Sequence, residues 1–101
     1  MNKNEFTWKE LTERLQIGQE ITGVVFQQEA YGVYVDIGEA FYGIVLTPQI
    51  SLNNRITLEE FPKIGDTITS VILGFSEHTK EESLEWNYVS LSIKKYLLKS
   101  E

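Results

Sequence analysis

The strongest pattern in the sequence is an alternation of apolar and polar positions between Gly18 and Leu46, GQEITGVVFQQEAYGVYVDIGEAFYGIVL. A period of two is typical of β-strands, because successive side chains point to opposite faces of a sheet. The alternation divides into three predicted strands: Gln19–Gln27, Tyr31–Ile37 and Phe41–Thr47. Pro48 ends the third strand, since proline has no N–H to donate to the ladder. Together these segments predict a twisted β-meander.

The middle strand carries two tyrosines. Strict alternation places Tyr34 on one face with Gly32 and Asp36, and Tyr31 on the other face with Val33. Aromatic residues favour strands and half-buried positions, so a purely structural role is one interpretation of both tyrosines. Contact with a ligand is the other interpretation, and alternation alone does not choose between them.

Two more strands and a helical turn are predicted in the second half of the chain. The strands are Thr67–Phe75 and Trp86–Ile93. Before the first of them, Thr57 and Glu60 have the spacing of a capping box, which predicts one helical turn near Leu58–Phe61. Residues 76–85 are polar and acidic, and this composition predicts a loop.

A short helix is predicted at the N-terminus. Thr7 and Glu10 have the spacing of a second capping box, so the helix should begin at Trp8 and end near Leu15. Trp8, Leu11 and Leu15 are spaced i, i+3, i+7 and therefore share one face. We expect that face to dock on the sheet.

These elements predict an all-β fold. Five short strands, a helical turn between strands 3 and 4 and a short N-terminal helix are typical of a five-stranded OB-fold Greek-key barrel. Another small barrel, of the SH3-like kind, is the alternative, and the position of the helical turn favours the OB fold. Gly23 is a predicted bend, because glycine within a strand often marks a barrel corner. The predicted organisation is an N-terminal segment over 1–16, a barrel domain over 17–95 and a tail over 96–101.

Composition narrows the classes of function. The chain has 101 residues, 42% of them hydrophobic, which suits one domain with a modest core. Cysteine is absent, and this excludes disulfides, thiolate metal sites and cysteine nucleophiles. The sequence has neither a signal peptide nor an apolar run of membrane-spanning length, so a cytoplasmic protein with no membrane partner is expected. Because the net charge is −6, binding of nucleic acid would depend on stacking or on a local cluster of cations.

The residues suited to catalysis or metal binding do not form a recognisable set. His78 is the one histidine and lies among acidic residues of the predicted loop, whereas a metal site needs ligands that converge from a rigid frame. Asp36 and Glu39 have no nucleophile beside them, and phosphate-binding glycine motifs are absent. The sequence therefore predicts no enzyme, no cofactor and no metal site.

Three segments follow one another in a recognisable order. The first joins Gly18–Val25 to Ala30–Ile37, the second is Phe61–Asp66 and the third is Val89–Lys94. In turn they resemble a G-x-x-x-x-G-x-V segment with an aromatic-G-x-aromatic-V run, an Ile-Gly-Asp lead into strand 4, and a closing LSLK-like segment. This ordered set, covering roughly residues 17–95, is similar to the S1 domain family, an RNA-binding branch of the OB fold.

The resemblance implies a binding surface centred on strand 2. S1 domains that bind RNA use two aromatic residues there, and Tyr31 and Tyr34 match those positions. Leu46 stands where the family often has a histidine, Ser76 where it has an aspartate, and Tyr88 where it has an arginine. These departures remove an imidazole ring and a guanidinium fork, and they leave a surface rich in tyrosine and poor in positive charge.

The implied function is weak binding of single-stranded RNA through tyrosine stacking, with the ribosome or another RNA–protein assembly as partner. The nucleic-acid-binding residues that we predict are Tyr31, Tyr34, Tyr88, Leu46 and Lys63. Tyr42 or Trp86 would add aromatic surface. For Lys63, the alternative interpretation is an ordinary solvated surface residue. A protein-interaction module that kept the S1-like barrel and lost RNA binding is the alternative function, because tyrosine-rich patches are common at protein interfaces.

Overall fold

A closed barrel of five strands forms the body of the structure, a computed structural model that describes residues 5–50, 61–77 and 86–93. The described helix and strands are α1 (Glu5–Arg14), β1 (Glu20–Glu29), β2 (Gly32–Asp36), β3 (Gly43–Leu46), β4 (Thr67–Ser76) and β5 (Tyr88–Ser92). A 3-10 turn, Thr47–Gln49, follows β3 directly. Each strand overlaps the segment that the sequence predicted for it.

The barrel closes because β1 pairs along both of its edges. It runs antiparallel to β2 on one side and to β4 on the other, and the strand order is β1-β2-β3-β5-β4. β3 and β5 are parallel, with Gly43 opposite Val89. A parallel pair requires the chain to cross over between its two strands. This topology confirms the predicted five-stranded OB-fold Greek-key barrel.

A β-bulge interrupts β1 near its middle. Val25 pairs with Val35, but the next pair along β2 is Gln27 with Tyr34, so Phe26 is the extra residue. A bulge bends its strand and increases the local twist. The extra residue therefore marks where β1 turns around the barrel.

Gly23, where the sequence predicted a bend, is a separate feature of β1 from this bulge. Its pairing with Ile68 of β4 lies in a regular stretch of the ladder. Gly23 instead permits a close approach of β2, because a Cβ at this position would lie 2.6 Å from the Asp36 carbonyl oxygen and from Cγ1 of Val35. A shift of register needs an extra residue in the ladder, which a glycine does not by itself supply.

The core fills the inside of the barrel and extends under α1. Its fully buried strand residues include Val25, Val33, Val35, Val45, Ile72, Val89 and Leu91. Trp8, Leu11 and Leu15 belong to the same cluster, as their shared face predicted. The Trp8 ring meets Phe41 edge-on, with centroids 4.9 Å apart. The helix therefore covers the barrel on the side of Phe41.

α1 begins at Glu5, three residues before the predicted start at Trp8. Thr7 lies within the helix, and the prediction that it caps the N-terminus was wrong. Glu5 places negative charge in the first turn, at the positive end of the helix dipole. Burial of Trp8 and Leu11 stabilises the turns that follow.

Polar contacts fix α1 to the barrel. Nη1 and Nη2 of Arg14 donate hydrogen bonds to the two carboxylate oxygens of Glu39, at 2.8 and 2.7 Å. The indole N–H of Trp8 donates to Glu77 at 2.8 Å. The hydrogen bonds from Arg14, with its charge, lower the pKa of the Glu39 carboxyl below its ordinary value.

Three sequence predictions fall wholly or mostly outside the described residues. They concern the helical turn at Leu58–Phe61, the acidic loop that contains His78, and the tail over 96–101. The 3-10 turn at Thr47–Gln49 is a helical turn between β3 and β4, as expected. Pro48 lies near its start. In the parts of the chain that the structure describes, no helix has the length and apolar character to cross a membrane.

We predict that Gly32→Ala destabilises the barrel by about 2 to 4 kcal/mol. A Cβ at Gly32 would overlap the carbonyl oxygen of Val45 and lie 2.9 Å from the Cα of Leu46. The φ of +156° at this position is also one that other residues rarely adopt. Urea unfolding of the variant and the wild type measures the loss.

Gly74→Ala is the matched control for this prediction. Gly74 also lies in a barrel strand, but a Cβ there would meet no atom within 4 Å and its φ is not positive. We expect its free energy of unfolding to stay close to that of the wild type. Equal losses in the two variants would contradict the close approach of β3 at Gly32.

The ion pair between Arg14 and Glu39 should appear in the pH dependence of stability. Because the pair lowers the pKa of Glu39 in the folded state, it stabilises the fold above the ordinary glutamate pKa of about 4.3. That contribution disappears as the pH falls through the lowered value. We expect Glu39→Gln to be less stable than the wild type at pH 7 and equally stable at strongly acidic pH, with a smaller difference in high salt. Chemical denaturation across pH measures this, and a difference that persists in acid would count against it.

Candidate nucleic-acid interface

Four aromatic rings form one continuous surface on the outside of the barrel, the aromatic face: Phe26, Tyr31, Tyr34 and Tyr42. Tyr34 lies at its centre, with its ring centroid 5.1 Å from that of Tyr42, 6.0 Å from Phe26 and 6.1 Å from Tyr31. Phe26 and Tyr42 complete the group at 6.2 Å. Most of these pairs meet edge to face, a favourable arrangement for aromatic rings.

Three neighbouring strands bring the rings together. In β2, Tyr34 points outward between the buried Val33 and Val35. In β1, the bulge leaves Phe26 without a partner, directly before the residue that pairs with Tyr34. Tyr42 immediately precedes β3, the other neighbour of β2. The aromatic face thus depends on pairing between strands.

Tyr31 lies on the same outer surface as Tyr34, and the prediction that alternation separates them was wrong. β2 begins at Gly32, so Tyr31 lies outside the strand, where alternation no longer applies. Its side chain is 49% exposed, and its hydroxyl oxygen lies 2.5 Å from that of Tyr34. The structure therefore brings together the two tyrosines that the sequence analysis selected.

Tyr34, at the centre of the aromatic face, is uncharged at physiological pH. The hydrogen bond with Tyr31, followed by partial burial, raises the pKa of the Tyr34 phenol well above its ordinary value. A phenol that already titrates far above neutrality is thereby held protonated. Stacking and hydrogen bonding are consequently the interactions that this surface offers.

An open pocket of about 290 Å³ adjoins one end of the aromatic face, where β2 turns towards β3. Its lining residues are Phe26, Asp36, Glu39, Ala40 and Tyr42. Oδ1 of Asp36 accepts the Gly38 N–H at 2.9 Å, which holds the turn. Among the described residues, no group of three or more potential metal ligands occurs, so the carboxylates here do not form a recognisable metal centre.

Leu46 and Tyr88 lie beside the aromatic face. Leu46 pairs with Gly32 and is 39% exposed, and the next residue donates its N–H to the carbonyl oxygen of Tyr31 at 2.8 Å. Tyr88 is half-buried and begins β5, where the following N–H donates to the carbonyl oxygen of Tyr42 at 3.0 Å. Leu46 thus adjoins the Tyr31 end of the face, and Tyr88 adjoins the Tyr42 end.

Lys63 lies in the turn that leads into β4. The turn that contains it is bound to the β4 edge of β1, because the Gly65 N–H donates to the carbonyl oxygen of Val25 at 2.8 Å. The Lys63 N–H itself donates to Asp66 at 2.8 Å. The aromatic face is centred on the opposite edge of β1, where β2 pairs.

Phe26 was not among the site residues predicted from the sequence. It stands in a strand whose two faces are both partly apolar, so alternation does not mark it as exposed. In the structure its side chain is 44% exposed beside Tyr34. The register shift that produces this exposure depends on how β1 pairs with β2, which the pattern of one strand does not reveal.

Comparison with known proteins identifies the family. The sequence model of the S1 RNA binding domain matches residues 14–94. The chain is similar to the small ribosomal subunit protein bS1 of Chlamydia trachomatis, with 26% identity over 91 residues. That match covers 90% of this chain and only 15% of the relative, so this chain corresponds to a small part of that protein.

Solved structures share the barrel. The solution structure of GSP13 from Bacillus subtilis has a TM-score of 0.67 and 24% identity, and the match covers 83% of this chain and 59% of that one. A chain in the a/eIF2alpha–aDim2p–rRNA complex from Pyrococcus horikoshii has a TM-score of 0.62 and 10% identity, over 80% and 45% of the two chains. With this fold and a family match over most of its length, the chain belongs to the S1 RNA binding domain family.

Proposed function

We propose that this chain binds single-stranded RNA weakly, by stacking bases on Tyr31 and Tyr34, with Leu46 and Tyr88 at the margins of the contact. The observation that carries the proposal is the aromatic face on the outside of an S1 barrel, where Tyr31 and Tyr34 meet with centroids 6.1 Å apart. Single-stranded bases stack readily on exposed aromatic side chains. We assign this RNA binding to the barrel domain over residues 17–95.

Weak affinity follows from the electrostatics. The chain carries a net charge of −6, so little of the affinity comes from neutralising phosphates. Stacking contributes roughly 1–3 kcal/mol per base. Because it neutralises no phosphate, it adds little to the salt dependence of binding. A protein that stacks two bases and has no cluster of cations should therefore bind RNA weakly, with a shallow salt dependence.

The positions where this chain departs from its family also lower the expected affinity for RNA. Leu46 and Tyr88 replace the histidine and arginine that the family resemblance leads one to expect, and both lie at the edge of the aromatic face. An apolar side chain and a phenol extend the contact with bases and sugars but add no positive charge. We place this activity on the ribosome or another RNA–protein assembly, since a relative is a ribosomal protein.

A protein-binding role for the same surface is the second candidate. Phe26, Tyr31 and Leu46 are each at least 39% exposed, and the rings of Phe26 and Tyr31 both contact the ring of Tyr34. Exposed aromatic and apolar side chains of this kind are also typical of protein interfaces. This candidate would be favoured if the chain captures a protein partner, substitutions in the aromatic face abolish that capture, and no RNA binds.

Replacement of Tyr34 tests the stacking. We expect Tyr34→Ala to weaken binding of a mixed-sequence single-stranded RNA by about fivefold or more, corresponding to the lower end of the stacking energy of one base. Tyr34→Phe keeps the ring and should retain most of the affinity. NMR titration of the labelled protein measures the dissociation constants and identifies the residues that shift.

Phe6→Ala is the matched control for removal of a ring, since Phe6 is a highly exposed ring on α1. We expect it to bind RNA as the wild type does. Equal affinities for the wild type and Tyr34→Ala, or the absence of any binding at millimolar concentration, would overturn the proposed function.

The hydroxyl pair within the aromatic face has its own test. We expect Tyr31→Phe to bring the pKa of Tyr34 down towards the ordinary tyrosine value of about 10, because the hydrogen bond between the two hydroxyl groups is the largest cause of the increase. NMR observation of the Tyr34 ring carbons during alkaline titration measures the change. An unchanged pKa in Tyr31→Phe would show that the two hydroxyl groups do not interact in solution.

A further inference from the structure

The pocket beside the aromatic face combines features that stacking alone does not explain. Phe26 and Tyr42 form one side of it, and Asp36, Glu39 and Ala40 complete the lining. Tyr34 contacts both of those rings but does not line the pocket. Because Asp36 is two residues after Tyr34 on β2, it lies on the same outer surface, further along the strand. The pocket therefore continues the aromatic face towards the β2–β3 turn.

The two carboxylates of the pocket have different surroundings. Both oxygens of Glu39 accept hydrogen bonds from Arg14, so its charge is already matched by a guanidinium. Asp36 accepts the Gly38 N–H through Oδ1. A carboxylate offers about four acceptor positions, and Asp36 is exposed at the pocket, so it retains capacity to accept hydrogen bonds from a ligand.

These features select the chemistry of an occupant. A phosphate group is disfavoured beside two carboxylates. A flat aromatic group with N–H donors on its edge is favoured, because it places its ring against Phe26 and Tyr42 and its donors against Asp36. The volume of about 290 Å³ is at the small end of ligand sites, which measure about 300–1,000 Å³, and suits one nucleobase better than a larger ligand.

We propose that this pocket is a base-reading subsite that prefers guanine in the bound RNA. Of the four RNA bases, guanine presents two adjacent donors, N1–H and the N2 amino group, which match the two oxygens of one carboxylate. Uracil presents its N3–H between two carbonyl oxygens, which a carboxylate repels. Adenine and cytosine present one amino group beside a ring acceptor. This preference rests on the proposed binding of RNA to the adjoining tyrosines.

Single-base replacement in a uniform RNA tests the preference. The probes are a uridine octamer, the same octamer with one central guanosine, and the same octamer with one central inosine. Inosine keeps the N1–H of guanosine and lacks its N2 amino group. We expect the guanosine octamer to bind about five- to tenfold more tightly than the uridine octamer, near the lower end of the discrimination that a bidentate base contact provides. Inosine should be intermediate. The amide signal of Gly38, whose N–H is bound to Asp36, should shift with guanosine more than with uridine.

Asp36→Asn isolates the carboxylate. Asparagine keeps an oxygen that can accept the Gly38 N–H, but it replaces the other oxygen with an amide nitrogen that opposes the donors of guanine. We expect the variant to bind the uridine octamer as the wild type does, or slightly more tightly, and to lose the preference for guanosine. Asp66→Asn is the matched control: it makes the same change of charge at a carboxylate that likewise accepts a backbone N–H, and it should keep the preference.

The outcomes separate this proposal from the proposed function. If the protein binds the uridine octamer and the guanosine octamer with equal affinity, the proposed subsite is overturned and the proposed binding of RNA is not. A guanosine preference that persists in Asp36→Asn overturns the assignment to this pocket. Failure of every octamer to bind overturns the proposed function and the subsite with it. Loss of the preference in Asp36→Asn and its retention in Asp66→Asn support the subsite.

Discussion

Closure of the barrel through β1 is the constraint on which the rest of the structure depends. This strand pairs with β2 along one edge and with β4 along the other, so it must follow two neighbours around a curved core. The extra residue at Phe26 accommodates the change of register against β2. The same residue places a ring beside Tyr34 on the outer surface. One register shift thus serves both the core and the aromatic face.

The turn between β2 and β3 connects the helix to that surface. Glu39 in the turn binds Arg14 of α1, whereas Asp36 holds the turn through the Gly38 N–H. Two carboxylates three positions apart therefore have different functions: one stabilises the docked helix, and the other stays exposed at a pocket. The proposed binding surface is compatible with an acidic chain, because aromatic rings offer stacking contacts that need no cation.

Local patterns predicted the elements well and their exact relations poorly. The spacing of Trp8, Leu11 and Leu15 identified the buried face of α1, because residues at i, i+3 and i+7 share a face wherever the helix begins. The start of the helix was predicted three residues too late, since residues 5–7 are also helical. Gly23 was selected as a bend, and its absent side chain gives β2 room to approach β1.

The sequence by itself determined a five-stranded barrel and directed attention to Tyr31 and Tyr34, because alternation and family motifs are properties of single segments. Only the tertiary structure decided which side chains share a surface. It joined Tyr31 to Tyr34 and added Phe26. The physical reason is that neighbours across a sheet are set by the pairing register and by where each strand begins, and neither is contained in the pattern of one strand.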